Sequence, residues 1–325
     1  MMKGKQERST IEQPQILKLV ENVEKVVVGK RREIELSLIA ILSGGHVLLE
    51  DVPGVGKTMM VRAIARSLGA DFKRIQFTPD LLPSDVTGVS VFNQKTMEFQ
   101  FRPGPVMTNI VLADEINRTS PKTQAALLEA LEEGSVTTDG ETRELQQPFF
   151  VMATQNPIEY GGTYPLPEAQ LDRFLFKFQI GYPTKSEELE VLNRVEKQHP
   201  IETLQSVMEL ETLLSMQEEV KKVYVQKNVK EYIISIVNAT RHHHSVYLGA
   251  SPRASIALMK AGQAFAYIQN RDYVIPDDIK YLAPFTLRHR IMLSSDAKLS
   301  DTTTERIVKD VIDQVRIPAG SEQAQ

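Results

Sequence analysis

The chain opens its regular pattern with apolar positions at helical spacing from Ile16 to Val27. A second amphipathic stretch, Arg31 to Leu42, stops at Gly44-Gly45. The apolar strand His46-Val47-Leu48-Leu49 follows, then a glycine-rich loop and a helical stretch that runs to Leu68, with Gly69 as its stop. Phe72 to Phe77 alternates like a strand. Residues 86–106 break this rhythm. Val89-Ser90-Val91-Phe92 and Met97-Glu98-Phe99-Gln100-Phe101 flank Asn93-Gln94-Lys95-Thr96, which predicts a hairpin. Its phenylalanines are expected to pack on the core. Asn109 to Ala113 reads as a buried parallel strand. A helix is expected over Pro121 to Glu133, with Ser120 as N-cap and proline at the first helical position. Ser135 to Leu145 predicts a second hairpin turning at Asp139-Gly140. Phe149 to Thr154 and Phe174 to Phe178 supply the remaining strands. Beyond Ser186, long helical periodicities replace strands over residues 186–198, 208–222, 228–244, 251–269 and 302–315, with a short helix starting at Pro276.

This pattern predicts a polar lead-in over 1–14, an α/β domain over 15–184, an all-α domain over 185–317 and a disordered tail over 318–325. At 325 residues the chain is long enough for two such units. It has no cysteine, which excludes disulfides and thiolate metal sites. The polar start, Met1 to Arg8, leads into no signal-peptide core, and Leu36 to Leu42 is far too short to span a bilayer. A net charge of −4 gives no global basic field for nucleic acid. Three consecutive histidines, His242-His243-His244, point in different helical directions and do not make one metal site.

The chemistry sits at two strand ends. Glu50-Asp51-Val52-Pro53-Gly54-Val55-Gly56-Lys57-Thr58 lies between a strand and a helix, the context of a phosphate-binding loop. Backbone N–H groups of the loop and of the helix start would face the phosphates. Gly54 and Gly56 let the backbone wrap closely around them. Lys57 would place its charge on the β- and γ-phosphates, and the Thr58 hydroxyl would ligate Mg²⁺. Pro53 through Met59, with Val55 in the loop, forms the expected nucleotide-binding stretch. One position departs from the full pattern, which wants glycine where Asp51 stands. The second site is Asn109-Ile110-Val111-Leu112-Ala113-Asp114-Glu115, an apolar strand ending in two carboxylates. Asp114 is expected to hold Mg²⁺ through water and Glu115 to deprotonate the attacking water. ATP and Mg²⁺ are therefore the expected ligands, and ATP dependence points to the cytoplasm.

Five motifs in order resemble the MoxR family of AAA+ ATPases across about Val26 to Leu293. They are Val52 to Thr58, Ala113-Asp114-Glu115-Ile116-Asn117-Arg118, Ala153-Thr154-Gln155-Asn156-Pro157, Leu166 to Phe174, and Gly249-Ala250-Ser251-Pro252-Arg253-Ala254. The resemblance implies a five-stranded parallel phosphate-loop NTPase core of AAA+ type with β-hairpin insertions, followed by an all-α lid. It gives Asn156 the place of the first sensor, beside the attacking water. Arg173 resembles the arginine finger that enters a neighbouring subunit's site. Arg253 resembles the second sensor, reaching back from the lid to the γ-phosphate. Val28-Gly29 matches the place that covers adenine.

The family implies a homo-oligomeric, hexameric ring that acts as a chaperone-like remodeller of protein clients, often partners with von Willebrand factor A domains. A chelatase-type motor for metal insertion shares this architecture and stays as an alternative. A nucleic-acid ring is disfavoured, because the hairpin at Ser135 to Glu141 carries acidic residues near its tip and no lysine or arginine before Arg143. A scaffold with negligible turnover is disfavoured by Glu115, Asn156 and Arg173.

Overall fold

The computed structural model describes residues 11–156, 164–196, 198–300 and 302–317. The predicted tail 318–325, most of the predicted lead-in, and Pro157 lie outside the described residues. Strands are Val47–Glu50 (β1), Phe72–Gln76 (β2), Gly88–Asn93 (β3), Glu98–Pro103 (β4), Ile110–Asp114 (β5), Ser135–Thr138 (β6), Glu141–Glu144 (β7), Phe150–Gln155 (β8), Phe176–Phe178 (β9), Val246–Leu248 (β10) and Met292–Leu293 (β11). Helices in the first half are Pro14–Glu24 (α1), Arg31–Leu42 (α2), Lys57–Ser67 (α3), Pro83–Thr87 (α4), Pro121–Glu133 (α5) and Glu168–Leu171 (α6). The second half adds Lys185–Val195 (α7), Pro200–Thr203 (α8), Leu210–Val220 (α9), Lys227–His242 (α10), Pro252–Ile268 (α11), Pro276–Leu287 (α12), Ser295–Leu299 (α13) and Thr304–Gln314 (α14).

The central sheet has five strands in the order β2-β5-β8-β1-β9, and every pairing within it is parallel. Alternate residues divide it between two cores. Val47, Leu49, Leu112, Met152 and Phe176 pack toward α1, α2 and α3. Leu48, Val111, Ala113 and Val151 pack toward α5. Burial on both faces explains why β1, β5 and β8 read as apolar runs, whereas the edge strand β2, mostly exposed, alternates. Phe150, Phe174 and Phe176 are fully buried, and each contributes about 1.5–3 kcal/mol of burial free energy.

The hairpin β3–β4 stands off this core, contrary to the expected packing. Phe92 is 42% and Phe99 73% exposed, and the two rings meet edge to face at 5.3 Å. The ribbon is a two-stranded sheet of its own. Phe101, on the side of the Phe92–Phe99 pair, meets Arg143 of the second hairpin, whereas Phe92 and Phe99 nearer the turn stay exposed. In the second hairpin, Asp139 and Gly140 have φ of 56° and 79°, the left-handed pair that a tight two-residue turn demands.

The second half of the chain is helical, with its own core around Tyr232, Ile236, Leu258, Ile279, Leu287 and Ile307. It also holds a short antiparallel ladder, β10–β11, absent from the all-helical expectation. Two short apolar segments, one of two residues and one of three, carry no periodicity long enough to read. The helix starting at Pro276 runs twelve residues, longer than the short helix expected, with Pro284 inside it. Ala257, Ala261, Ala264 and Phe265 of α11 join the core around α2. Ile11 is buried, and the N–H groups of Glu12 and Gln13 donate to the Ile268 carbonyl at 3.0 and 3.1 Å.

Candidate nucleotide-binding site

The loop after β1, the start of α3 and the ends of β2 and β5 enclose a pocket of about 360 Å³. It is bordered by Pro53, Gly54, Gly56, Lys57, Thr58, Met59, Arg74, Gln76, Asp114 and Glu115. Gly54 and Gly56 have φ of 87° and 92°, a backbone that side chains rarely adopt. No side chain caps the N-terminus of α3, so its first N–H groups are left for an acceptor in the pocket. The Lys57 ammonium donates to the carbonyls of Asp51 and Val52 at 3.0 and 3.3 Å, which uses two of its three N–H donors and holds it against its own loop.

Asp51, the departure from the full loop pattern, has a structural task. Its buried carboxylate accepts the N–H groups of Ile180 and Gly181 at 2.5 and 3.1 Å. It ties the loop to the chain leaving β9, which a glycine could not do.

The acidic pair is held by residues the sequence reading did not single out. Thr154 on β8 is fully buried. Its hydroxyl donates to Asp114 Oδ1 at 2.7 Å and accepts the Glu115 N–H at 2.8 Å. Arg74 on β2 donates from Nη2 to Asp114 Oδ2 at 2.6 Å, and Gln76 donates to Glu115 Oε2 at 3.0 Å. Arg118 also donates to Glu115 Oε2, at 2.8 Å. Glu115 sits in the left-handed region at φ 58°, ψ 48°. Such a backbone persists in a non-glycine residue when its surroundings fix it, and here the Thr154 hydroxyl does so. The signal for Arg74 and Gln76 was their spacing of two in a strand, which puts both on one face. Their partners could be known only from the β2–β5 register, Gln76 opposite Asp114.

Asn156 follows the last residue of β8, at the same carboxyl edge of the sheet, and its carbonyl accepts from Asn117 at 3.3 Å. Next to the pocket lies an apolar hollow of about 180 Å³, bordered by Val26, Val27, Val28, Val55, Pro183 and Val191 among others. Gly54, Gly56 and Met59 border both spaces. Val28 thus lines the hollow. Gly29 stands beside it at φ 73°, close against Glu187 of α7. Arg194 of α7 clamps the end of α1 by donating to the carbonyls of Glu24 and Lys25 at 2.6 and 2.9 Å. A polar pocket with a lysine, a hydroxyl and two carboxylates, opening beside an apolar hollow, has the chemistry of a nucleoside triphosphate site. The hard oxygen donors Thr58 and Asp114 suit Mg²⁺.

Arg173 and Arg253 lie elsewhere. Arg173 Nε donates to Glu132 Oε2 at 2.7 Å, and Arg253 Nη2 donates to Glu132 Oε1 at 2.6 Å. Neither borders the pocket; the two meet at Glu132 instead. The reason is topological. His46, just before β1, accepts the Leu175 N–H on its carbonyl at 2.8 Å. Its ring contacts the Leu131 carbonyl at 3.2 Å and accepts the Val151 N–H at 3.1 Å. Burial pushes this imidazole down to about 4, against the opposing pull of the Leu131 carbonyl, so it is neutral. His46 therefore gathers the end of α5 and the Arg173 segment at the amino edge of the sheet. The phosphate loop leaves β1 at the opposite edge, roughly 13 Å away at 3.3 Å per residue.

Glu132 was also missed, because a glutamate near a helix end is commonplace in sequence. Desolvation would raise its carboxyl, but the hydrogen bonds and charges of Arg173 and Arg253 outweigh that and hold it below the usual range.

Comparison with known proteins adds a lineage to this geometry. Residues 46–176 match the model of the ATPase family associated with various cellular activities (AAA), and residues 238–311 match the AAA lid domain. The chain is 66% identical to the YeaC protein of Bacillus subtilis (strain 168), over 94% of this chain and 95% of that protein. It is 43% identical to Chaperone MoxR1 of Mycobacterium tuberculosis, over 91% of this chain and 80% of that protein. A crystal structure assigned as an ATPase from Cytophaga hutchinsonii superposes with a TM-score of 0.89 at 42% identity, covering 94% of this chain and 96% of the other.

Proposed function

Because the chain belongs to the MoxR family of AAA+ ATPases, we propose that it works as a ring, hexameric as the family expectation has it, in which each ATP is hydrolysed between two subunits. The observation that carries this reading is the separation of Lys57, Asp114 and Glu115 at one sheet edge from Arg173 and Arg253 at the other. Within one chain the two sets stand apart, and a neighbouring chain is the source of arginines that this reading supplies to each phosphate.

In this reading ATP lies with its phosphates on the loop Gly54 to Thr58 and its adenine in the hollow at Val28. Thr58 and Asp114 would hold Mg²⁺, which supplies charge neutralisation on the phosphate oxygens. Glu115 takes a proton from water held beside Asn156. The water oxygen bonds to the γ-phosphorus as the bond to the β-phosphate oxygen breaks, leaving ADP and phosphate. Arg173 of the neighbour stabilises the charge that develops. Arg253, which shares Glu132 with Arg173, serves that same neighbouring site rather than its own.

The work done with this energy is chaperone-like remodelling of a protein partner, with von Willebrand factor A domains as the family's partner class, in the cytoplasm. No helix among the described residues is long and apolar enough to cross a membrane. The hairpin β6–β7 does not suit nucleic acid. Its one arginine, Arg143, pairs with Glu141 and covers the Phe101 ring at 3.9 Å.

The test is complementation. Arg173→Ala and Lys57→Ala proteins are each expected to hydrolyse ATP poorly. Mixed, they should recover activity, because an intact loop from one meets an intact Arg173 from the other. Absence of recovery in rings shown to be mixed would sink the reading.

A further inference from the structure

We propose that Glu132 is a positioning residue that clamps Arg173 and Arg253, from two different domains, into one two-pronged anion grip presented to the neighbouring subunit's ATP. This rests on the intersubunit reading above and names the residue that makes it work.

Three features support it. First, the carboxylate divides its two oxygens between the two guanidiniums, Oε2 to Arg173 and Oε1 to Arg253. Arg173 is engaged through Nε, the inner nitrogen. No other hydrogen bond to its guanidinium is found among the described residues, so its outer fork is left to meet phosphate oxygens. Second, Glu132 sits in the last turn of α5, where the helix dipole disfavours a carboxylate and no basic residue stands in that turn. The compensating charges come from Arg173 and Arg253, so the carboxylate gains most when both are present. Third, a separate tether draws the same two segments together. Asp172, next to Arg173, accepts the Ser251 hydroxyl at 2.7 Å, and that hydroxyl caps α11 by accepting the Arg253 N–H at 3.1 Å. Without Glu132 two cations would face each other across a short gap with nothing between them. The two guanidiniums would turn apart while the Asp172–Ser251 tether keeps their segments together, and the grip would open.

Glu132 touches neither the loop nor the acidic pair of its own chain. Its loss should therefore leave ATP binding intact and strike turnover, through the neighbour. In Glu132→Ala we expect the affinity for a fluorescent ATP analogue to change by less than about threefold, and kcat to fall by roughly 10- to 100-fold, the scale set by misplacement of about 1 Å. Glu132→Gln, which keeps the acceptor but not the charge, should fall between Glu132→Ala and the unaltered protein. Should Glu132→Ala unfold, as read by circular dichroism, Glu132→Gln carries the test.

The deciding measurement mixes the Glu132 variant with Lys57→Ala protein, beside the Arg173→Ala and Lys57→Ala mixture. Recovery in both mixtures supports the clamp. Recovery with Arg173→Ala but none with the Glu132 variant overturns it and leaves the intersubunit reading standing. Recovery in neither removes that reading, and the clamp with it. Turnover unchanged in the Glu132 variant alone also overturns the clamp.

Discussion

Arg290 reaches from the end of α12 to grip Asp172 twice, donating from Nε to the carboxylate at 2.5 Å and from Nη2 to the backbone carbonyl at 3.0 Å. It also donates to the carbonyls of Phe174 and Leu175, at 2.7 and 3.2 Å. Its side chain is 3% exposed. Removing one member of such a buried pair leaves the other charge without its partner. Arg290→Ala is expected to destabilise the protein by about 3–5 kcal/mol, measured by denaturant unfolding. It should also lower turnover, since the anchored segment carries Arg173. A loss below about 1 kcal/mol, the scale of exposed pairs, would show that the segment holds itself.

Glu115→Gln keeps size and hydrogen bonding but removes the base. We expect it to bind ATP like the unaltered protein and to hydrolyse it at least ~100-fold more slowly. Single-turnover kinetics would separate the two. Undiminished hydrolysis would move the base to another residue.

Gly29 offers a test of the adenine end. A Cβ there would fall 1.9 Å from Glu187 Oε1. Glu187 closes a capping box by accepting the Thr184 N–H at 2.7 Å, and so fixes the start of α7. Gly29→Ala must move that carboxylate and hold a left-handed backbone, at a cost of about 1–2 kcal/mol. If α7 walls the adenine hollow, ATP and ADP should both bind roughly tenfold more weakly. Calorimetry showing unchanged affinity for both would place the base elsewhere.

Acidification should weaken the fold through two buried histidines. His46 is held near 4 by burial. His289 is pushed well below its usual value by burial and then by the Arg290 charge. The unfolded chain takes up these protons near pH 6.5 while the folded chain does not, so stability falls as pH drops from about 6.5 toward 4. His46 alone accounts for about 3 kcal/mol over that window, at 1.36 kcal/mol per unit. His46→Gln should be less stable at neutral pH but show a flatter decline. An equal slope in both proteins would acquit His46.

The phosphate loop and the Asp114-Glu115 pair could be read directly because each is contiguous. Lys57 and Thr58 follow their glycines, and the carboxylates end an apolar run. The inner strands β1, β5 and β8 were equally legible, since burial on both faces leaves apolar runs, and the edge strand β2 was legible by its alternation. What the sequence hid is whatever depends on register or on distant segments meeting. Arg74 and Gln76 acquire meaning only opposite Asp114, and Thr154 only between Asp114 and Glu115. Glu132 and Arg173 are 41 positions apart, and Glu132 and Arg253 are 121 apart. Asp51 looked like a blemish in a motif and is an anchor. Phe92 and Phe99 alternate as a buried face would, yet both stay exposed near the turn of the ribbon.

If ATP is shared between subunits as proposed, the separation of the loop from Arg173 and Arg253 would give each chain a polarity, a receiving edge and a giving edge. Chains joined in an open arc would leave an idle loop at one end and an idle arginine pair at the other. Such an arc always has one fewer working site than it has members. Closure supplies the missing site without any new residue, so the last subunit to join would add more catalysis than those before it.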